Sequence, residues 1–229
     1  LSEHLVDDVL KAGELMEDWF PQIEADVFIS HSHADVKLAK ALKRWLNDEL
    51  GLKAFIDSTV WGYSDNLLNE INEKYSKIED GLYRYRDCNF AAQHVNLMLT
   101  SALQRMIDRT ECIMFLNTEN SVNQQCADLI TKKLKMETYS PWIYTELLST
   151  QFMRENQIER RGILFESNSI NFSNQQSALK VSYGVEMELK NFKEITRTDF
   201  EAWKRVCSEK VKGVNALDLL YKMEGLVNG

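Results

Sequence analysis

Turn-forming residues are scarce in this chain, with two prolines and nine glycines among 229 residues. That shortage, with 44% hydrophobic and 27% charged residues, describes a helix-rich globular protein and excludes a disordered or low-complexity one. Cysteine is sparse too. Cys88, Cys112, Cys126 and Cys207 are scattered with no CxxC pair, and Cys112 sits in an apolar run, so free thiols in a reducing compartment are expected. No apolar run approaches the ~20 residues that cross a bilayer, so no membrane partner is expected. Nor is there a basic stripe. The densest basic stretch is KKLK at 132–135 and the net charge is −8, which argues against nucleic acid as a partner. LSEHLVDDVLKAGELMEDWF is too acidic for a signal peptide, and the expected location is cytoplasmic.

What is present is an alternation of strand and helix. Residues 1–20 place Leu5, Val9, Leu10 and Leu15 at mostly helical spacing and predict an amphipathic N-terminal helix that ends before Pro21. ADVFISHS at 25–32 reads as a strand that breaks into the polar loop HSHAD. VKLAKALKRWLNDELG then reads as a helix with Leu38, Leu42, Trp45 and Leu46 on one face and Gly51 as its stop. LKAFID at 52–57 reads as a second strand, so the opening is βαβ with parallel pairing.

Residues 58–93 read as an elaborated, aromatic connection holding one helix near 65–77. HVNLMLTSALQRMIDRTE predicts a helix and CIMFLNT at 112–118 a buried third strand. Residues 119–139 read as a polar connection, 141–156 as a helix, and GILFESN at 162–168 and LKVSYGVEM at 179–187 as fourth and fifth strands. Two helices close the chain. The length suits one core of roughly 130 to 170 residues with helices attached, and the alternation predicts a doubly wound α/β sheet.

Ligands of such sheets bind beyond the carboxyl ends of the strands. That rule nominates three tips: SHSHAD after the first strand, residues 57–65 after the second, and NTENS, with Thr118, after the third. The first tip has no glycines to cradle phosphate, which disfavours a P-loop or dinucleotide turn. His31, His33 and Asp35 are too few for a metal site, and none is expected. Ser32 or Asp35 also suits the N-cap of the following helix.

The stretch SPWIYTELLST at 140–150 holds a further candidate. Ser140 suits an N-cap and Pro141 the first helical position. Helical periodicity then spreads Ile143, Leu147, Leu148 and Phe152 over one half, and gathers Trp142, Glu146, Ser149 and Met153 on the other. Glu146 lies one turn from Trp142 and off the apolar face. On spacing alone, a solvated helical glutamate is the commoner case.

Taken together, DVFISHS, the helix to Gly51, LKAFID, CIMFLNTENS and SPWIYTELL resemble, in order, the Toll/interleukin-1 receptor (TIR) domain family, and in particular stand-alone bacterial members similar to the TIR component of Thoeris anti-phage systems. The resemblance covers residues 25 to about 190 and rests chiefly on the FIS and FID strands and the WxxxE helix. It implies a flavodoxin-like fold with a five-stranded parallel sheet in residues 25–190, an insertion at about 58–93, an N-terminal helical extension at 1–24, and C-terminal helices at 191–229 packed on the same domain.

Many members cleave NAD⁺ at the nicotinamide–ribose bond, with NAD⁺ as substrate and no other cofactor. By that likeness Glu146 is catalytic and Trp142 shapes the pocket. Ser30, His31, Ser32, His33 and Thr118 border the nucleotide, and Asp57 opens the loop that mediates self-association. Trp61, in the unusual WGYSD stretch, lines the pocket or belongs to a replaced assembly loop. The first loop lacks the arginines of some members, leaving Arg84, Arg86 and backbone amides as candidates for the phosphates. The product would be ADP-ribose or a cyclic isomer, read by a downstream effector in antiviral defence. The alternative is a non-catalytic TIR module that signals by homotypic assembly.

Overall fold

A computed structural model of the protein describes residues 1–6, 9–61, 64–128, 133–152, 181–190, 192–207 and 211–224. Along the chain run strands β1 (Leu5–Val6) and β2 (Val9–Leu10), helix α1 (Ala12–Trp19), strand β3 (Val27–Ser30), helix α2 (Val36–Leu50) and strand β4 (Ala54–Phe55). Helices α3 (Asp57–Val60) and α4 (Ser64–Tyr75), strands β5 (Lys77–Glu79) and β6 (Leu82–Tyr83), and helix α5 (Tyr85–Arg109) follow. Then come β7 (Cys112–Phe115), β8 (Asn123–Asp128), β9 (Lys133–Thr138), α6 (Pro141–Phe152), β10 (Tyr183–Gly184), α7 (Glu186–Leu189), α8 (Arg197–Cys207) and α9 (Val214–Met223). The protein is a mixed α/β fold with a parallel three-stranded sheet.

The described chain divides into two compact units. The first joins Leu1–Ile23 to Asp57–Met106. Here the expected single N-terminal helix is instead a two-residue β-hairpin, β1 against β2, followed by α1. Lys11 N donates to His4 O at 2.9 Å to close the hairpin, and the His4 ring meets the Asp18 carboxylate on α1 at 3.0 Å. Ala91, Val95, Met98 and Ala102 form the buried stripe of α5, three and four residues apart as a helix face requires. That helix begins at Tyr85, nine residues earlier than the sequence suggests. The aromatic stretch also contains an unexpected hairpin, β5 with β6, turning at Gly81 with φ +79°.

The second unit comprises Glu24–Ile56 and Ile107–Gly229. Its parallel sheet has the order β4-β3-β7, with Val27 opposite Ala54 on one side and Cys112 on the other. Val27, Phe28 and Ile29 are fully buried, which explains why the central strand is an unbroken apolar run. Asp26 fixes the edge where these strands begin. Its carboxylate accepts Lys53 N at 2.7 Å, and its carbonyl accepts Cys112 N at 3.0 Å.

Helix α2 stops at Gly51, which takes φ +67° and returns its N–H to Asn47 O at 3.0 Å, a left-handed cap suited to glycine. The last carbonyls of α2 are then satisfied by the C-terminal region: Gly213 N donates to Leu50 O at 2.7 Å, and Lys212 Nζ donates to Glu49 O. Trp203, fully buried on α8, donates its indole N–H to Ala216 O at 2.7 Å and joins Trp45 and Phe200 in an aromatic cluster. Leu217 and Leu220 of α9 pack in the same core as Val27, Ile29 and Leu46.

Downstream of β7 the described fold departs from the expected pattern. The polar connection at 119–139 contains the hairpin β8–β9 of a second sheet, antiparallel, with order β10-β9-β8. The predicted fifth strand shortens to β10, which pairs antiparallel with β9 rather than joining the parallel sheet, and gives way to α7. The cause is local: Val185 N bonds Met136 O at 2.9 Å and the Glu186 carboxylate accepts Met136 N at 2.8 Å. Among the described residues the parallel sheet has three strands. The predicted fourth strand at 162–168, and 153–156 of the predicted helix with Met153, lie outside the described residues.

Candidate active site

The loops leaving β3 and β7 emerge side by side at the carboxyl edge of the parallel sheet, because these strands pair in register up to Ser30 opposite Phe115. The pairing runs one step further, with Leu116 N donating to Ser30 O at 2.9 Å. Ser30 is 1% exposed, and its hydroxyl donates to Oε2 of Glu146, itself 5% exposed. A contact between residues 116 apart in sequence thus brings α6 to the end of the central strand.

Helix α6 starts as its sequence suggests, with Ser140 Oγ accepting Ile143 N at 3.3 Å. Its apolar side differs from the expectation. Ile143 and Leu147 pack with Val122, Met136, Val185 and Leu189 beside the antiparallel sheet, while Phe152 is 77% exposed. The opposite face, where spacing alone favours a solvated glutamate, buries Glu146 and Ser149, the latter donating to Thr145 O at 2.6 Å. Buried residues thus occupy both faces of α6. Trp142, one turn before Glu146, is half-buried.

A second link joins the two loops. Asp35 occupies the N-cap position of α2, but its carboxylate makes no cap bond. It accepts Asn120 Nδ2 at 2.7 Å and the Thr118 hydroxyl, so the loop after β3 is tied to the loop after β7. Ser121 locks the second loop from inside, accepting Thr118 N and donating to Leu116 O, both at 2.8 Å. Asn120 and Ser121 were not singled out by the sequence. A polar run such as NTENS carries no sign of which side chain faces inward. Asn117, also in this loop, has both amide atoms buried without a hydrogen-bond partner.

The remaining candidates divide. His31 is buried, with Nδ1 3.3 Å from Ile29 O, whereas Ser32 is half-buried and His33 exposed in the short 3-10 turn His33–Asp35. Asp57 and Trp61 belong to the first unit. There the Trp61 indole is buried, donates to Pro21 O at 2.9 Å and meets Phe20 edge-on at 5.7 Å, so it serves as a core residue of that unit. Arg84 and Arg86 lie in the same unit. Among the described residues, no three His, Cys, Asp or Glu side chains gather as metal ligands. No helix there is long and apolar enough to cross a membrane.

These features define an α/β protein with a hydroxyl-held carboxylate where the central parallel strand ends. Such a carboxylate can stabilise positive charge or hold sugar hydroxyls. No family model, curated protein or solved structure matches the chain.

Proposed function

We propose that the protein is a TIR-type enzyme that cleaves the nicotinamide–ribose bond of NAD⁺. The observation that carries this reading is Glu146, buried within the WxxxE helix and bonded to Ser30 of the FIS strand. Two sequence motifs that resemble the family separately thus meet at one carboxylate. The edge of a parallel sheet is also where α/β proteins place ligands.

The chemistry suits a single carboxylate. Glycosidases pair a general acid with a second carboxylate because their leaving oxygen must be protonated. Nicotinamide needs no proton: the bond from C1′ to the ring nitrogen breaks, its electron pair neutralises the pyridinium, and positive charge develops over C1′ and O4′. The Glu146 carboxylate stabilises that charge, and Trp142 offers a flat apolar face that excludes water. Attack by water on C1′, with loss of a proton, gives ADP-ribose; attack by a nucleophile within the same molecule gives a cyclic isomer.

The finer reading is a flavodoxin-like TIR domain of bacterial stand-alone type. It acts in the cytoplasm, assembles with copies of itself, and supplies a nucleotide signal to an effector in anti-phage defence. A non-catalytic assembly module is the second reading, favoured by the exposed Ile78, Leu82, Tyr85, Phe90 and Leu97 on β5, β6 and α5.

Mass spectrometry of NAD⁺ incubated with wild type and Glu146→Ala, each at low and high protein concentration, separates these readings. The enzyme reading expects nicotinamide and an ADP-ribose species from wild type alone. Intact NAD⁺ throughout, with self-association demonstrated, favours the assembly module.

A further inference from the structure

We infer that Ser30 is a positioning residue for the Glu146 carboxylate rather than a contact to the nucleotide; the inference rests on the NAD⁺-cleaving reading. Ser30 ends the central strand with its carbonyl fixed by Leu116 N at 2.9 Å, so its short side chain has little freedom. A serine hydroxyl has one proton to donate, and that of Ser30 goes to Glu146 Oε2. At 1% exposure the residue presents almost no surface to a ligand.

Glu146 has the opposite problem. Its long side chain rotates about several bonds, and ordering it costs entropy that must be recovered by contacts. Ile143 and Leu147 anchor α6 in the cluster beside the antiparallel sheet, which fixes the helix. The Ser30 hydroxyl supplies a reference point on a rigid element of the parallel sheet. Thr118 is committed in a similar way, its hydroxyl donating to Asp35. Two hydroxyls expected at the nucleotide thus build the framework of the site.

Steady-state kinetics on wild type, Ser30→Ala and Ser30→Thr test the assignment, with circular dichroism melts to confirm folding. A misplaced carboxylate weakens the transition state more than the ground state, and displacements of about 1 Å cost up to ~100-fold. Ser30→Ala is expected to lower kcat by roughly 10- to 100-fold, with KM within about threefold of wild type and Ser30→Thr recovering most of the loss. If Ser30→Ala does not fold, Ser30→Cys, which keeps the side chain's branching but has a larger atom and a weaker donor, carries the same expectation. A raised KM at unchanged kcat, or unchanged kinetics, overturns the inference while leaving the NAD⁺ reading standing. Absence of turnover by wild type overturns both.

Discussion

Buried polar side chains must find partners, because each unsatisfied group costs about 1 to 3 kcal/mol and a charged one more. Asp35 meets this demand for its neighbours as well as for itself. Replacing it with alanine leaves Thr118 and Asn120, both half-buried, without their shared acceptor, so Asp35→Ala is expected to destabilise the protein by about 1 kcal/mol. Urea unfolding followed by tryptophan fluorescence checks this; an unchanged midpoint contradicts the loop-to-loop link.

The thiols give a second prediction at residue scale. Burial pushes the Cys112 thiol from 9.0 up to about 12, against the opposing pull of the Tyr221 hydroxyl beside it. The Cys112 residue as a whole is half-buried, but its sulfur is desolvated. A thiol whose folded pKa is raised contributes stability that is complete below the ordinary value and lost as pH climbs through the folded value. The stability advantage of wild type over Cys112→Ala is therefore expected to be constant below pH 9.0 and to decline toward about 12. Alkylation at neutral pH in a Cys126→Ser background should label Cys88 well before Cys112 or the buried Cys207. Equal labelling rates contradict this environment for Cys112.

At the scale of elements, caps and crossovers decide the fold. Gly51→Ala forces a side chain into φ +67° with its Cβ 3.3 Å from the Lys212 Cβ, disturbing the junction that closes α2. A loss of roughly 1 kcal/mol or more is expected, read as a lower midpoint in thermal unfolding. No loss would mean that the left-handed cap contributes little. Local patterns of this kind were legible in the sequence: Gly51 as a stop, the apolar β3 and β7, and the Ser140–Pro141 start of α6. The β8–β9 hairpin was hidden because Asn123, Gln124 and Gln125 are weak strand formers, so pairing with β9 must supply what their intrinsic preference lacks. The burial of Glu146 is invisible to helical spacing for a related reason. Periodicity within α6 identifies its apolar residues, but burial of the opposite face depends on Ser30, 116 positions away.

For the whole molecule, the net charge of −8 disfavours long-range attraction to polyanions. An enzyme that works by self-association should show specific activity that rises with protein concentration. Constant activity on dilution would assign turnover to the single chain. Fold class emerged from the sequence because strand and helix alternate along it, whereas the grouping of residues 1–23 with 57–106 depends on contacts between distant segments. The role of Glu146 in NAD⁺ cleavage is read from nicotinamide released per mole of NAD⁺ lost, for wild type and for Glu146→Gln, which keeps the side chain's shape and removes its charge. The expected ratio is one for wild type, with no release from a folded Glu146→Gln; equal release by the two proteins would contradict this role of Glu146.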